Sequence, residues 1–454
     1  MERQNYVDIL LNFIQKTNCD NLDKNVIVQA QKCFLDLAGV LCAGAKNNSS
    51  KKAAEYVKGN YPTGNCTIMS TGKKANLIGA ALANGMAVNA LDMDDGYSLL
   101  RGHPGAGFFG ALLSAAEYSS CSYGEFLAAL VVCYEVSIRQ GYSIRDFYKW
   151  DHSSGCYSAF GTAAGVGRLL KLTKNQLEYA LGISDFIAPL NPAKRSCSIP
   201  SMNKDGIYFG QHAGTQAVMM AKSGITGKNP VIFDKTYRPY LDSLGKKFYI
   251  FDLYIKFYSC CRWAHSPIQA VKSLIDEYKI SGNDIKRVEV YSFGNAGTLY
   301  KCAPKNEDEA QYNIKYPIAA QIIFGECGPL ESSTTKMLDE RVAPMIEKID
   351  FYHEPEYDKV FPKQRLSRVE IVTNDGKRLV SSAVEPRGDY NAAVTIDDIA
   401  KKVKKMNMLF SESEYVDALI DAVLNTPLNM PFEIILSKIR TLAKRNIHPE
   451  IEFI

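Results

Sequence analysis

The chain has 454 residues, 46% of them apolar, which is enough for a large core and for two domains or more. Its net charge of +4 is spread over 53 basic and 49 acidic residues without a basic block, which argues against a nucleic-acid protein and leaves room for small basic pockets. Polar residues interrupt the opening MERQNYVDILLNFIQKTN and no apolar run reaches the length of a bilayer, so the expectation is a cytoplasmic protein with no signal peptide and no membrane partner.

In chain order, Val26 to Leu41 carries an apolar helical stripe with Gly44 as its stop, and Leu77 to Ala90 and Phe108 to Tyr118 read as buried helices rich in Ala and Gly. Similar patterns predict helices at Gly124 to Val136, Ala159 to Leu170, Lys174 to Ile183 and Ala213 to Lys222. After the segment WAHSP the texture changes. One more helix, Ile268 to Tyr278, is followed by a half-buried strand at Arg287 to Phe293. Arg368 to Thr373, the turn Asn374-Asp375-Gly376 and Arg378 to Ala383 form a hairpin pattern, because those turn residues tolerate positive φ. Helices return at Ile396 to Met406, Glu412 to Leu424 and Pro431 to Leu442. The expected fold is mainly α with an α+β part: a large helical domain from both ends of the chain (1–262 and 393–454) and a small inserted α+β lid domain (263–392).

Chemistry concentrates in a few segments. Between two of the predicted helices, NALDMDDGYSLLRGHPGAG packs Asp92, Asp94 and Asp95 close to His103 on a Gly- and Pro-bracketed connection, where mutual repulsion favours a site over scaffold. Asp94 or Asp95 could equally cap a helix. His152, Ser153 and Ser154 precede a small-residue helix whose entrance favours anions. Lys204 lies in MNKDG, Lys256 leads into CCRWAHSP with Arg262 and His265, and Tyr316 opens another apolar helix. Taken singly, each is more simply a cap, a solvated lysine or a packing residue. Yet four of the six histidines fall in or beside these segments, which packing alone explains poorly. The twelve cysteines are scattered without a CxxC pair and read as reduced core residues; only the adjacent Cys260 and Cys261 have a claim on chemistry.

Other classes lack their signatures. There is no GxGxxG between a strand and a helix, no P-loop and no GxSxG elbow. No ligand-spaced HxxxH or CxxC supports a metal, so neither a metal nor another cofactor is expected.

The segments LDLAGVLCAG, ALANGMAVNALDMDD, GHPGAG, HSSGCYSAFGTAAGVGRLLKL, SMNKDGIYFGQHAG, KFYSCCRWAHSPIQA and VEPRGD resemble the MmgE/PrpD family, in the family's order and across nearly the whole chain. The family's activities include 2-methylcitrate dehydration, cis-aconitate decarboxylation and iminodisuccinate epimerisation. The resemblance implies a homodimer with a cofactor-free, metal-free site between the helical and lid domains, acting on a small di- or tricarboxylate. All these reactions move a proton beside a carboxylate or lose CO₂, so cations must hold the substrate while an acid or base works at the reacting carbon. The resemblance then implies Asp92 as orienter or base, His103 and His152 as proton carriers, Lys204 as catalytic cation and Tyr316 as proton donor. Lys256, Arg262, His265, Ser153 and Ser154 fill substrate-binding places. A lyase is the leading expectation, with an isomerase acting by proton transfer and a non-catalytic carboxylate-binding protein as alternatives. HPGAG where many members have HPSA, and DGIYFG after Lys204, mark departures from the common pattern.

Overall fold

A computed structural model describes residues 2–392 and 394–454. The chain is mainly α-helical with a small α+β part, and its apolar interior divides into two clusters. The larger joins residues between Val7 and Ile255 to residues between Ile399 and Phe453, so both ends of the chain build one helical body. The smaller gathers Tyr258 to Leu379, with Cys197 reaching in from the body.

Each helix predicted from periodicity is present, most of them with caps that explain their ends. Lys24–Gly44 starts where the Asp23 side chain accepts from Asn25 N–H, and Leu77–Asn89 where Asn76 accepts from Gly79 N–H. Tyr123–Tyr148 runs twelve residues past its predicted end at Val136, because the polar residues that break its apolar pattern are satisfied internally. Arg139 Nη1 meets Glu135 Oε2 at 2.5 Å, one turn away, with both side chains fully buried. Besides several short helices, two of more than ten residues were missed among the described residues. Glu2–Lys16 buries Val7, Leu10, Leu11 and Ile14 on one face, and Asn48–Asn60 is too polar for periodicity to reveal.

Lys24–Gly44 is long and apolar enough to cross a bilayer by length and composition, against the expectation that no run would be. However, 72% of its most apolar stretch is buried within the protein and it packs against Leu77–Asn89, Tyr123–Tyr148 and Ile396–Asn407, as a core helix does. From helix Ile396–Asn407, Lys402 Nζ contacts Asp36 Oδ1 at 2.6 Å and donates to Met93 O at 2.7 Å, tying that helix to Lys24–Gly44 and to the loop after Leu77–Asn89.

The α+β part holds a four-stranded sheet ordered Ile349–His353, Ile285–Ser292, Ser367–Thr373, Arg378–Val380; the first pair is parallel and the others antiparallel. Ser367–Thr373 alternates buried and half-buried residues, and Gly376 turns the hairpin at φ +88°, as its sequence predicts. The edge strand ends at Val380, three residues early. The parallel strand Ile349–His353 was missed, since its outer residues are exposed and its pattern does not alternate.

Candidate active site

The site forms where the loop between helices Leu77–Asn89 and Ala106–Ser119 meets the segment 253–262. Gly96–Tyr97 pairs with Leu253–Tyr254, which brings Lys256 beside the aspartates. Asp92 sits at φ +51°, a conformation that Asp tolerates better than most residues, and its carboxylate is fully buried. Lys256 Nζ, also fully buried, lies 2.8 Å from Asp92 Oδ1. Among the described residues neither Asp92 oxygen accepts a well-aligned hydrogen bond, so this ion pair is its main compensation.

The neighbouring carboxylates have separate tasks. His103 Nδ1 donates to Asp94 Oδ2 at 2.7 Å, Asn89 Nδ2 donates to Asp94 Oδ1 at 2.9 Å, and His103 Nε2 lies 3.7 Å from Asp92. Asp95 is structural: it accepts from Gly105 N–H and from the Tyr134 hydroxyl, and a Cβ at Gly105 would collide with its carboxylate, which accounts for the glycine of HPGAG. Burial opposes the charge on His103, but Asp94 outweighs it and raises the imidazole to about 9. Burial likewise disfavours the Asp94 anion, and His103 outweighs it, holding the carboxyl low. Burial also works against the Lys256 ammonium, yet Asp92 and Asp94 raise its pKa. The cluster therefore sets Asp92 and the Asp94 carboxylate against an imidazolium and an ammonium.

Asp92, Asp94 and His103 offer ligand atoms within 4.8 Å of one another and could hold a metal ion. The Lys256 ammonium and the His103 imidazolium already supply the balancing positive charge. Activity is accordingly expected to survive exhaustive treatment with a chelator; reversible loss restored by one metal would overturn this.

A narrow cavity opens in front of His103, lined also by Arg101, Arg262, Arg365, Tyr254, Tyr312, Asp205, Cys197 and Cys261. Its free volume is about 40 Å³, room for a few waters, so a di- or tricarboxylate can enter only when the walls part. Arg262 donates to Arg387 O at 2.8 Å and pairs with Asp389 at 3.2 Å. His265, fully buried and held neutral by burial and by Arg262, lies 3.1 Å from Cys260 O through Nε2 and turns Nδ1 toward Arg262, 3.4 Å away. It positions Arg262 and does not line the cavity. Ser154 accepts from His103 N–H at 2.9 Å and donates to Asp205, steadying the loop, whereas the Ser153 hydroxyl points at Pro189 O.

For Lys204, Tyr316 and His152, as for His265 and Ser153, the structure departs from the sequence expectation. Lys204 cannot act as a free cationic clamp: its ammonium donates to Asn89 O at 2.9 Å, Ala90 O at 2.7 Å and Gln311 at 2.5 Å, filling all three protons at the end of helix Leu77–Asn89. Lys204→Ala is expected to cost about 1–3 kcal/mol of stability by leaving those acceptors unpaired, while the same change at exposed Lys222 stays near zero in a denaturant titration. Tyr316 does not reach the cavity, since its hydroxyl donates to Glu331 O and its ring packs in the smaller core. Tyr312, four residues earlier, lines it instead, with a buried hydroxyl that finds no partner among the described residues. The sequence reading also passed over Arg101 and Arg365. Arg101 stands two residues before His103, but nothing local to Arg365 signals its place. His152 is not brought to the cavity either: its ring lies 3.6 Å from that of Trp150, both ring nitrogens lack a hydrogen-bond partner among the described residues, and burial lowers its pKa to about 4, leaving it neutral beside the cavity-lining Asp151.

With this geometry in view, comparison with known proteins is informative. Residues 8–248 match the MmgE/PrpD N-terminal domain and residues 258–426 the MmgE/PrpD C-terminal domain. The chain belongs to the MmgE/PrpD family. It is 24% identical to a cis-aconitate decarboxylase-like protein of Aspergillus oryzae, over 92% of this chain and 93% of that protein. A cis-aconitate decarboxylase of Aspergillus terreus is also 24% identical, over 81% and 82%. The cis-aconitate decarboxylase of Mus musculus is 21% identical, over 89% and 87%. This MmgE/PrpD chain thus aligns along most of its length with lyases, and the two family domains meet at the segment that carries Lys256 and Arg262.

Proposed function

We propose that this protein is a cofactor-independent lyase that removes CO₂ or water from a small di- or tricarboxylic acid. The observation that carries the reading is the Asp94–His103 pair facing a cavity whose wall includes three arginines. Arginine suits a carboxylate because its planar fork donates two parallel hydrogen bonds. Negative charge that develops beside a carboxylate is stabilised by Arg101, Arg262 and Arg365, and a protonated His103 delivers a proton to the carbanion left by CO₂ or to a departing hydroxyl. Asp94 keeps the imidazole charged and fixes its orientation. Tyr312, whose buried hydroxyl belongs to the same cavity wall, is a second proton donor.

Incubation with a panel of di- and tricarboxylates in D₂O, followed by proton NMR, tests the reading. Alkene formation or loss of CO₂ supports it. Deuterium exchange without a new product assigns the isomerase alternative, and saturable binding without either reaction assigns the carboxylate-binding one. The homodimer belongs to the same proposal, and a sedimentation mass of one 50.4 kDa chain would exclude it.

The pH profile is a second check. His103 is a proton donor below about 9, so turnover falls as pH rises through that value. In Asp94→Asn the main raising interaction is lost while burial and Lys256 still lower the pKa and only Asp92 raises it, so the alkaline limb moves to lower pH. An unmoved limb would detach it from His103.

A further inference from the structure

A second cavity, larger than the first, takes no part in the chemistry above. It is a cleft of about 500 Å³ between helix Ile396–Asn407 of the helical body and helices His265–Tyr278 and Tyr316–Phe324 of the α+β part. It shares no lining residue with the cavity in front of His103, yet Met93, which separates Asp92 from Asp94, and Phe257, next to Lys256, stand in its wall. A volume of this size suits a small molecule, and such sites combine mostly apolar walls with a few placed polar groups. Leu330, Met406 and Leu409 join Met93 and Phe257 in supplying the apolar part here.

The polar part has donors to spare. Lys402, 5% exposed, gives ammonium protons to Asp36 at 2.6 Å and to Met93 O at 2.7 Å, and its third proton has no acceptor among the described residues. Gln321, 4% exposed, accepts from Gly325 N–H through its backbone, while its side-chain amide makes no hydrogen bond among the described residues. The carboxylates of the wall are already taken: Glu326 pairs with Lys405 at 2.6 Å, Asp398 pairs with Arg387 at 3.4 Å, and Glu331 accepts from Gly328 N–H at 2.8 Å. Lys272, paired with Asp276 at 2.6 Å, and the exposed Lys401 bring the wall to five cations against three carboxylates. Buried donors without acceptors are costly, so an occupant that carries an oxyanion on an apolar body answers both parts of the wall. We propose that this cleft is a second ligand site, for an anionic amphiphile: a carboxylate carried on an apolar chain. A citrate-like acid has nothing to cover the apolar walls, and an uncharged chain leaves the surplus positive charge unanswered.

Octanoate is the probe, titrated into the full chain by calorimetry, with 1-octanol, octyltrimethylammonium and citrate as the chain without charge, the chain with the opposite charge and the charge without a chain. Octanoate is expected to bind saturably with a Kd of about 1 mM or tighter, at least about tenfold tighter than any of the three. Its position is read separately in protein labelled with ¹³C-methyl methionine, where the methyl signals of Met93 and Met406 should shift along the same saturation curve. Gln321→Leu removes the amide at nearly constant size and is expected to weaken octanoate about 2–10-fold. Lys401→Glu reverses an exposed charge, so the protein still folds, and is expected to weaken it by a similar factor. None of these readouts depends on the proposed lyase function. Non-saturating binding, equal affinity for 1-octanol or citrate, unshifted Met93 and Met406 signals, or full affinity in both variants would each overturn the site.

Discussion

His103→Ala is expected to lower turnover by about 10²–10⁴-fold in protein that still folds, with a loss of stability smaller than that of Lys256→Met. The imidazole is the group that joins Asp94 to the cavity; burial works against its charge, but Asp94 outweighs burial and keeps it protonated up to about 9, so at neutral pH it is a ready acid. Stability falls because the buried Asp94 carboxylate loses its imidazolium, and the loss is limited because Asn89 still donates to Asp94 and the backbone N–H that bonds Ser154 is retained. Steady-state kinetics on the acid found by the screen, together with a urea titration, separate the two effects. Turnover within a few-fold of normal would make His103 structural and return the proton-transfer role to Tyr312.

The second large effect concerns stability. Lys256→Met should destabilise the fold by about 3–5 kcal/mol, because it leaves the fully buried Asp92 carboxylate without its ammonium and with no aligned hydrogen bond to replace it. The same change made together with Asp92→Asn removes the uncompensated charge and should recover most of the loss, although neither protein is expected to be active. The midpoint of urea unfolding for the single and double variants reads this directly. A single-variant cost under about 1 kcal/mol would mean that Asp92 is neutral in the folded protein, and the charge balance drawn for the cluster would fail.

Both predictions start from residues that were visible in the sequence. Asp92, Asp94 and His103 stand within twelve positions of one another, on a connection whose flanking helices announce themselves by periodicity, so the chain's own continuity brings them together. Local spacing likewise revealed the Asn-Asp-Gly hairpin and most helix starts, because caps and turns depend on neighbours a few residues apart.

Partner choice across the fold was not legible in this way. Tyr312 and Tyr316 are both tyrosines in one short segment, and only packing decides that the first faces the cavity while the second donates to Glu331 O. Lys204 carries the charge expected of a clamp, yet the end of helix Leu77–Asn89 lies close enough to absorb all three of its protons. Arg365 reaches the cavity from a segment more than 250 residues away from His103, a placement that leaves no local pattern. Residue types and short spacings are set by covalent neighbours, so the sequence alone specified the fold class, the carboxylate–histidine cluster and the family resemblance. The distances between charges, and therefore which groups are occupied and which remain free to act, arise only when distant segments are buried together, because burial decides how strongly each charge is felt and which partner satisfies it.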